Sequence, residues 1–149
     1  MKTSLFLALL SMVLIAADEP KAPVASDSEK LQGTWQMLEE FHGDRDTSEE
    51  GKHCQVIFEG KKFTVKKDDM MILEGTFEID ATKSPPQMDI TVTKDAEEER
   101  TGQKALGIYK LEGDKLQWCI CEPSRNQRPT ELETKGTDFA MFVLERAKK

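Results

Sequence analysis

His42, Asp44, His53 and Cys54 stand at the two ends of one polar stretch, and nitrogen, oxygen and sulfur donors of this kind could together hold a divalent cation. Their spacing matches neither a His-x-x-x-His pair nor a familiar loop site, so both histidines read as surface groups and no metal is expected. Cys119-x-Cys121 has one intervening residue where zinc and thioredoxin-type motifs have two. In a strand the two thiols would share a face about 6–7 Å apart, and a bridge between them would distort it. With Cys54 the count is odd, so at most one optional disulfide is expected and the thiols read as packing groups.

Catalytic signatures are absent. The chain has no Gly-x-Ser-x-Gly elbow, no Gly-rich phosphate loop and no His-Glu-x-x-His. Its carboxylates, including Asp95 and the run Glu97-Glu98-Glu99, fall on faces that read as solvated, where ordinary acidity makes general-acid work inefficient. Arg125 and Arg128, near Glu122 and Glu131, read as surface ion-pair partners. A protein without enzymatic activity or cofactor is the expectation. What remains able to do chemistry is a set of rings, Trp35, Phe58, Phe63, Phe77, Tyr109, Trp118 and Phe142, and the question is which elements gather them.

From Trp35 onward the hydrophobic period is two. Trp35 and Met37 alternate with polar neighbours, as do Val56 and Phe58, then Phe63 and Val65. Leu73, Gly75, Phe77 and Ile79 share one face, followed by Met88, Ile90 and Val92. Tyr109 and Leu111, then Leu116, Trp118 and Ile120, and finally Phe142 and Leu144 complete eight strands. Glu59-Gly60-Lys61-Lys62 and Glu112-Gly113-Asp114-Lys115 each put Gly first in a two-residue loop, the pattern of a type II′ hairpin. Those turns oppose Phe58 to Phe63, Leu111 to Leu116 and Tyr109 to Trp118, so the apolar faces agree. No amphipathic helix is present to cross over. The fold class expected is therefore all-β: an eight-stranded antiparallel up-and-down barrel, closed to remove its edges, preceded by one helical turn capped by Asp27 or Ser28 and stopped by Gly33.

The helical turn followed by Gly33-x-Trp35 at the start of the first strand resembles the lipocalin superfamily. More closely, LQGTW (31–35), FTVK (63–66), EGTFEID (74–80), LGIYKLEGDKLQWC (106–119), RPTE (128–131) and VLER (143–146) resemble a lipocalin-like domain of uncharacterised function found in secreted planctomycete proteins. The resemblance runs from about Leu31 to Arg146 and implies the barrel fold without implying an activity. It implies that Gly33, Trp35 and Arg146 close one barrel end, the guanidinium stacking on the indole, and that Arg128 and Pro129 are structural.

Length and charge bound the rest. The 149 residues suffice for one compact domain. Lys2 followed by an apolar run from Leu5 to Ala17, broken only by Ser11, reads as a cleavable signal over residues 1–17, too short to span a bilayer. Residues 18–28 read as a flexible linker and 29–149 as the barrel domain. Without Lys2 the 21 basic side chains fall to 20 against 28 acidic, a net charge of −8, which repels nucleic acid and anionic lipid. A secreted or periplasmic protein with no membrane anchor after cleavage follows. Two functions are compatible with it. One is a carrier of a hydrophobic or aromatic small molecule held by Phe58, Phe63, Phe77, Ile90, Tyr109, Trp118 and Phe142, with Tyr109 as polar handle and inward Gly75 and Gly107 leaving room. The other is a ligand-free module with a filled barrel, meeting an unknown protein partner through loops 42–53 and 122–138. Intact-mass measurement on exported protein should show loss of residues 1–16 or 1–17, and full-length precursor as the sole species would overturn export.

Overall fold

The computed structural model describes residues 24–149; the expected signal segment lies outside them. Helix α1 (Asp27–Leu31) leads into β1 (Gly33–His42), a short β2 (Arg45–Asp46) and the single turn α2 (Ser48–Gly51). The strands β3 (Cys54–Glu59), β4 (Lys62–Lys67), β5 (Met70–Asp80) and β6 (Gln87–Asp95) follow, then β7 (Lys104–Ala105), β8 (Gly107–Glu112), β9 (Lys115–Ile120) and β10 (Ala140–Arg146). Hydrogen-bonded neighbours run β10-β9-β8-β6-β5-β4-β3-β1, and β1 pairs with β10 to close an eight-stranded antiparallel barrel. The two short strands are appendages, β2 on β1 and β7 on β6.

Register follows turn chemistry. Gly60 (φ +60°) and Gly113 (φ +57°) occupy the first loop position, where a side chain would be strained, and set Glu59 opposite Lys62 and Glu112 opposite Lys115. Phe58 then faces Phe63, and Tyr109 faces Trp118. Between β4 and β5 the tight turn is made by Asp68 (φ 47°) and Asp69 (φ 65°), a pair of left-handed residues that Asp tolerates better than most side chains.

One end of the barrel is plugged by α1. Its N-cap is Ser26, with a capping box to Glu29, rather than the expected Asp27 or Ser28, which fall inside the helix. The helix is too short to satisfy its own last carbonyls, and the barrel supplies the donors. Trp35 Nε1 donates to Leu31 O at 2.8 Å, and Arg146 donates to Gln32 O at 2.8 Å and to Lys30 O. Arg146 lies opposite Trp35 in the β1–β10 ladder with its guanidinium carbon 4.5 Å from the indole centroid. The Tyr109 hydroxyl donates to Asp27 at 2.8 Å, and Leu31 is fully buried beneath the helix. Phe58 and Phe77 pack edge to face at 5.0 Å and fill this half of the interior.

The wall has one weak seam, between β6 and β8, where the only ladder pair is Gln87 with Ile108. Side chains complete it. Asp89 accepts from the Gly107 N–H at 3.2 Å, Arg128 donates to the Gly107 carbonyl at 2.8 Å, and Arg128 grips Asp89 through both guanidinium nitrogens. Pro129 is buried beside this clip, so Arg128 belongs to the wall rather than to a surface pair.

Replacing Arg146 by Ala removes the cation–π contact and leaves two helix carbonyls uncapped, which should cost about 2–3 kcal/mol. Lys149→Ala should stay within about 0.5 kcal/mol. Urea midpoints and indole fluorescence of the two variants check this; equal shifts would show that Arg146 does not hold the plug.

Candidate functional site

The barrel is filled at the α1 end and hollow at the other. A cavity of about 170 Å³ opens at the end remote from α1. Of the rings and aliphatic groups expected to form a site, Phe63, Ile90, Trp118 and Phe142 line it, with the Trp118 and Phe142 centroids 5.8 Å apart. Phe58, Phe77 and Tyr109 do not. They belong to the packed half, and Tyr109 spends its hydroxyl on Asp27, so it is not a handle for a ligand. Burial and that hydrogen bond push the Tyr109 hydroxyl well above its usual acidity range.

The two inward glycines leave no room either. A Cβ on Gly75 would lie 2.2 Å from the Thr91 carbonyl and 2.6 Å from the Phe63 ring. One on Gly107 would meet the Met88 and Cys119 carbonyls at 2.7 and 2.8 Å and Trp118 Nε1 at 2.9 Å. Both glycines admit a ring or a neighbouring strand. The Trp118 indole N–H therefore lies against the wall at Gly107, buried and without a hydrogen-bond partner among the described residues.

Two carboxylates, an imidazole and a guanidinium join the apolar lining at the mouth: Glu40, Glu122, His42 and Arg100. His42 Nε2 and Glu40 Oε1 are 2.7 Å apart, and the edge of one ring meets the other between His42 and Phe142 at 6.2 Å. The hydrogen bond to Glu40 is the main influence raising the imidazole pKa, with Glu122 adding to it; partial burial and Arg45 oppose. Arg100 donates to Asp95 through Nε at 2.8 Å and Nη2 at 3.1 Å. Asp95 has no exposed side-chain surface and also accepts backbone N–H groups of Glu97 and Arg100. The guanidinium first, then those amides, hold its carboxyl well below the usual carboxylate range against the opposing effect of burial.

Strict alternation hides these residues. It places Glu39 and Phe41, not Glu40 and His42, on the face of Trp35 and Met37. The ladder to β10 steps from Met37–Leu144 to Glu39–Val143, so Leu38 is an extra residue and the parity reverses. Glu40 then lies opposite Phe142 and His42 opposite Ala140, both cavity residues. A second slip, at Thr93 of β6, brings Asp95 opposite Leu73 and onto the inner face, so Asp95 is a buried anchor and not part of a solvated hairpin tip. A third leaves Ile72 unpaired on β5, and Ile72 and Leu73 both line the cavity. Each bulge changes which face a residue occupies by one position, and no residue type in the sequence marks it.

The metal-capable set is dispersed. His42 pairs with Glu40 inside the mouth and is thus no simple surface group, while His53 meets Asp68 at 3.1 Å on the outside. Asp44 accepts from the Gly136 N–H, and Cys54 and Cys121 line the cavity. Cys119 lies apart from them beneath the segment after β9, near the Glu133 carbonyl, its thiol pushed up to about 11 by burial. All three cysteines are free, and Cys119 and Cys121 do not share a face because Cys121 falls beyond the end of β9. Arg125 pairs with Asp138 at the surface.

The chain matches no known protein-family model, and no curated protein matches it.

Because its pKa is raised in the folded state, the His42–Glu40 pair contributes stability that is complete below the ordinary histidine value of 6.5 and is lost as pH rises through the raised value. The His42 ring protons followed by NMR should titrate above 6.5, and Glu40→Gln should lower the midpoint. An unchanged midpoint in that variant would show that the pair does not form in solution.

Proposed function

We propose that this protein is an extracytoplasmic, non-catalytic, lipocalin-like carrier that holds one small apolar or single-ring aromatic molecule in the open end of its barrel. The observation that carries the reading is the division of the interior. Half is packed with rings and plugged by α1, whereas the other half keeps a cavity walled by Trp118, Phe142, Phe63 and Ile90. Apolar interiors normally close to near crystal density, so a hollow of about 170 Å³ is space the sequence leaves open. Dry cavities of about 150 Å³ take a benzene ring, while drug-sized ligands need about 300 Å³ or more. That size favours a single ring or a short aliphatic chain over a long-chain lipid.

Export rests on the apolar run from Leu5 to Ala17, and lipocalin-like character on the ordered Gly33, Trp35 and Arg146 contacts at the plugged end. The non-catalytic reading rests on the sequence, in which no Gly-x-Ser-x-Gly elbow, Gly-rich phosphate loop or His-Glu-x-x-His motif occurs. Toluene and benzyl alcohol should each bind saturably with submillimolar affinity, seen as a change in Trp118 emission that is lost in Trp118→Phe. Ala140→Leu, which fills the cavity from its wall, should abolish binding with the circular dichroism unchanged. An absence of saturable binding in the parent protein would favour the filled-barrel module that engages a protein through loops 42–53 and 122–138.

A further inference from the structure

We propose that the molecule held in the open end is a small protonated amine, an apolar or aromatic body carrying one ammonium group at the mouth. This rests on the carrier reading above and adds the sign of the charge. Arg100 commits Nε and Nη2 to Asp95, whose side chain is wholly buried, so most of that cation's field is cancelled at close range. Glu40 is engaged through Oε1 by His42, while its Oε2 has no hydrogen-bond partner among the described residues. The Glu122 carboxylate lines the same mouth and makes neither a hydrogen bond nor an ion pair among those residues. Asp95 lies behind Arg100 and offsets it, so with His42 neutral Glu40 and Glu122 leave the mouth negative; with His42 protonated the four lining side chains balance, and only the buried Asp95 behind Arg100 keeps the set negative. Arg45 on β2 also acts on His42, but it is exposed and screened by solvent. Arg125 is cancelled by Asp138 beside the mouth.

The apolar part of the site agrees in chemistry. Trp118 and Phe142 line the cavity next to the carboxylates, and the faces of aromatic rings attract an ammonium as carboxylates do. A cavity with low-dielectric walls concentrates the field of its rim charges, so a cation is drawn to this opening and an anion of equal size is turned away. The ring or alkyl body would occupy the hollow, and the ammonium would stay at the mouth between Glu40 and Glu122.

The test uses the full chain and three ligands of one shape, benzylamine, benzyl alcohol and benzoate, titrated at neutral pH and low ionic strength and followed by Trp118 emission and calorimetry. Benzylamine should bind about tenfold more tightly than benzyl alcohol, and benzoate more weakly than either. Glu122→Gln, at an exposed position that makes no side-chain hydrogen bond or ion pair among the described residues, should weaken benzylamine about three- to tenfold and benzyl alcohol by distinctly less. Raising the salt to about 0.5 M should narrow the gap between amine and alcohol. Equal binding of all three would overturn the amine proposal and leave the carrier reading standing. Tightest binding of benzoate would overturn it in favour of an anion held by Arg100 and His42. No binding of any would overturn the carrier reading itself.

Discussion

The contact between Arg146 and Trp35 is the point on which the closed end of this barrel depends. The guanidinium caps the indole face, and its nitrogens take up two of the carbonyls that helix α1 cannot satisfy. The indole N–H takes a third. A five-residue helix has little stability of its own, so α1 holds its place because the barrel supplies these donors. In return the helix seats Leu31 over the core and presents Asp27 to Tyr109. Arg146 and Trp35 come from the last and first wall strands and face each other in the β1–β10 ladder, so the contact that joins the wall also holds the end.

With that end sealed and Phe58, Phe77 and Tyr109 packed above it, the open half is released from the requirement to fill itself. The three strand irregularities, at Leu38, Ile72 and Thr93, involve β1, β5 and β6 on the side of the barrel that carries the cavity. Two of them place polar groups inward, Glu40 with His42 and then Asp95 with Arg100, beside a cavity whose other strand residues are apolar or cysteine. Both sets arrive already paired, which is how charge is accommodated beside an apolar cavity. The same seam logic appears at Gly107, where Asp89 and Arg128 satisfy backbone groups that the β6–β8 ladder leaves open. Bulges and side-chain clips let eight strands close around a hollow.

The sequence by itself determined the wall. Period-two alternation identified all eight barrel strands, and Gly60 and Gly113 set the registers of Phe58 with Phe63 and Tyr109 with Trp118, because turn geometry and face parity are local properties. Closure was legible for the same reason, since a meander with one apolar face has no other way to hide its edges. Phe63, Ile90, Trp118 and Phe142 were legible as inward groups. What they enclose was decided only by tertiary structure. Which inward rings pack and which stand around space depends on the side chains opposite, as the Phe63 ring over Gly75 and the hydroxyl of Tyr109 on Asp27 both show. The mouth was decided there as well. A one-residue bulge at Leu38 reverses the face of every later residue in β1, and such a slip is fixed by the pairing of β1 with a strand about a hundred residues away in sequence. Glu40 and His42 owe their places to that long-range pairing and Asp95 to the slip at Thr93 in the β5–β6 ladder, so the charged part of the site came into view only when the strands were paired.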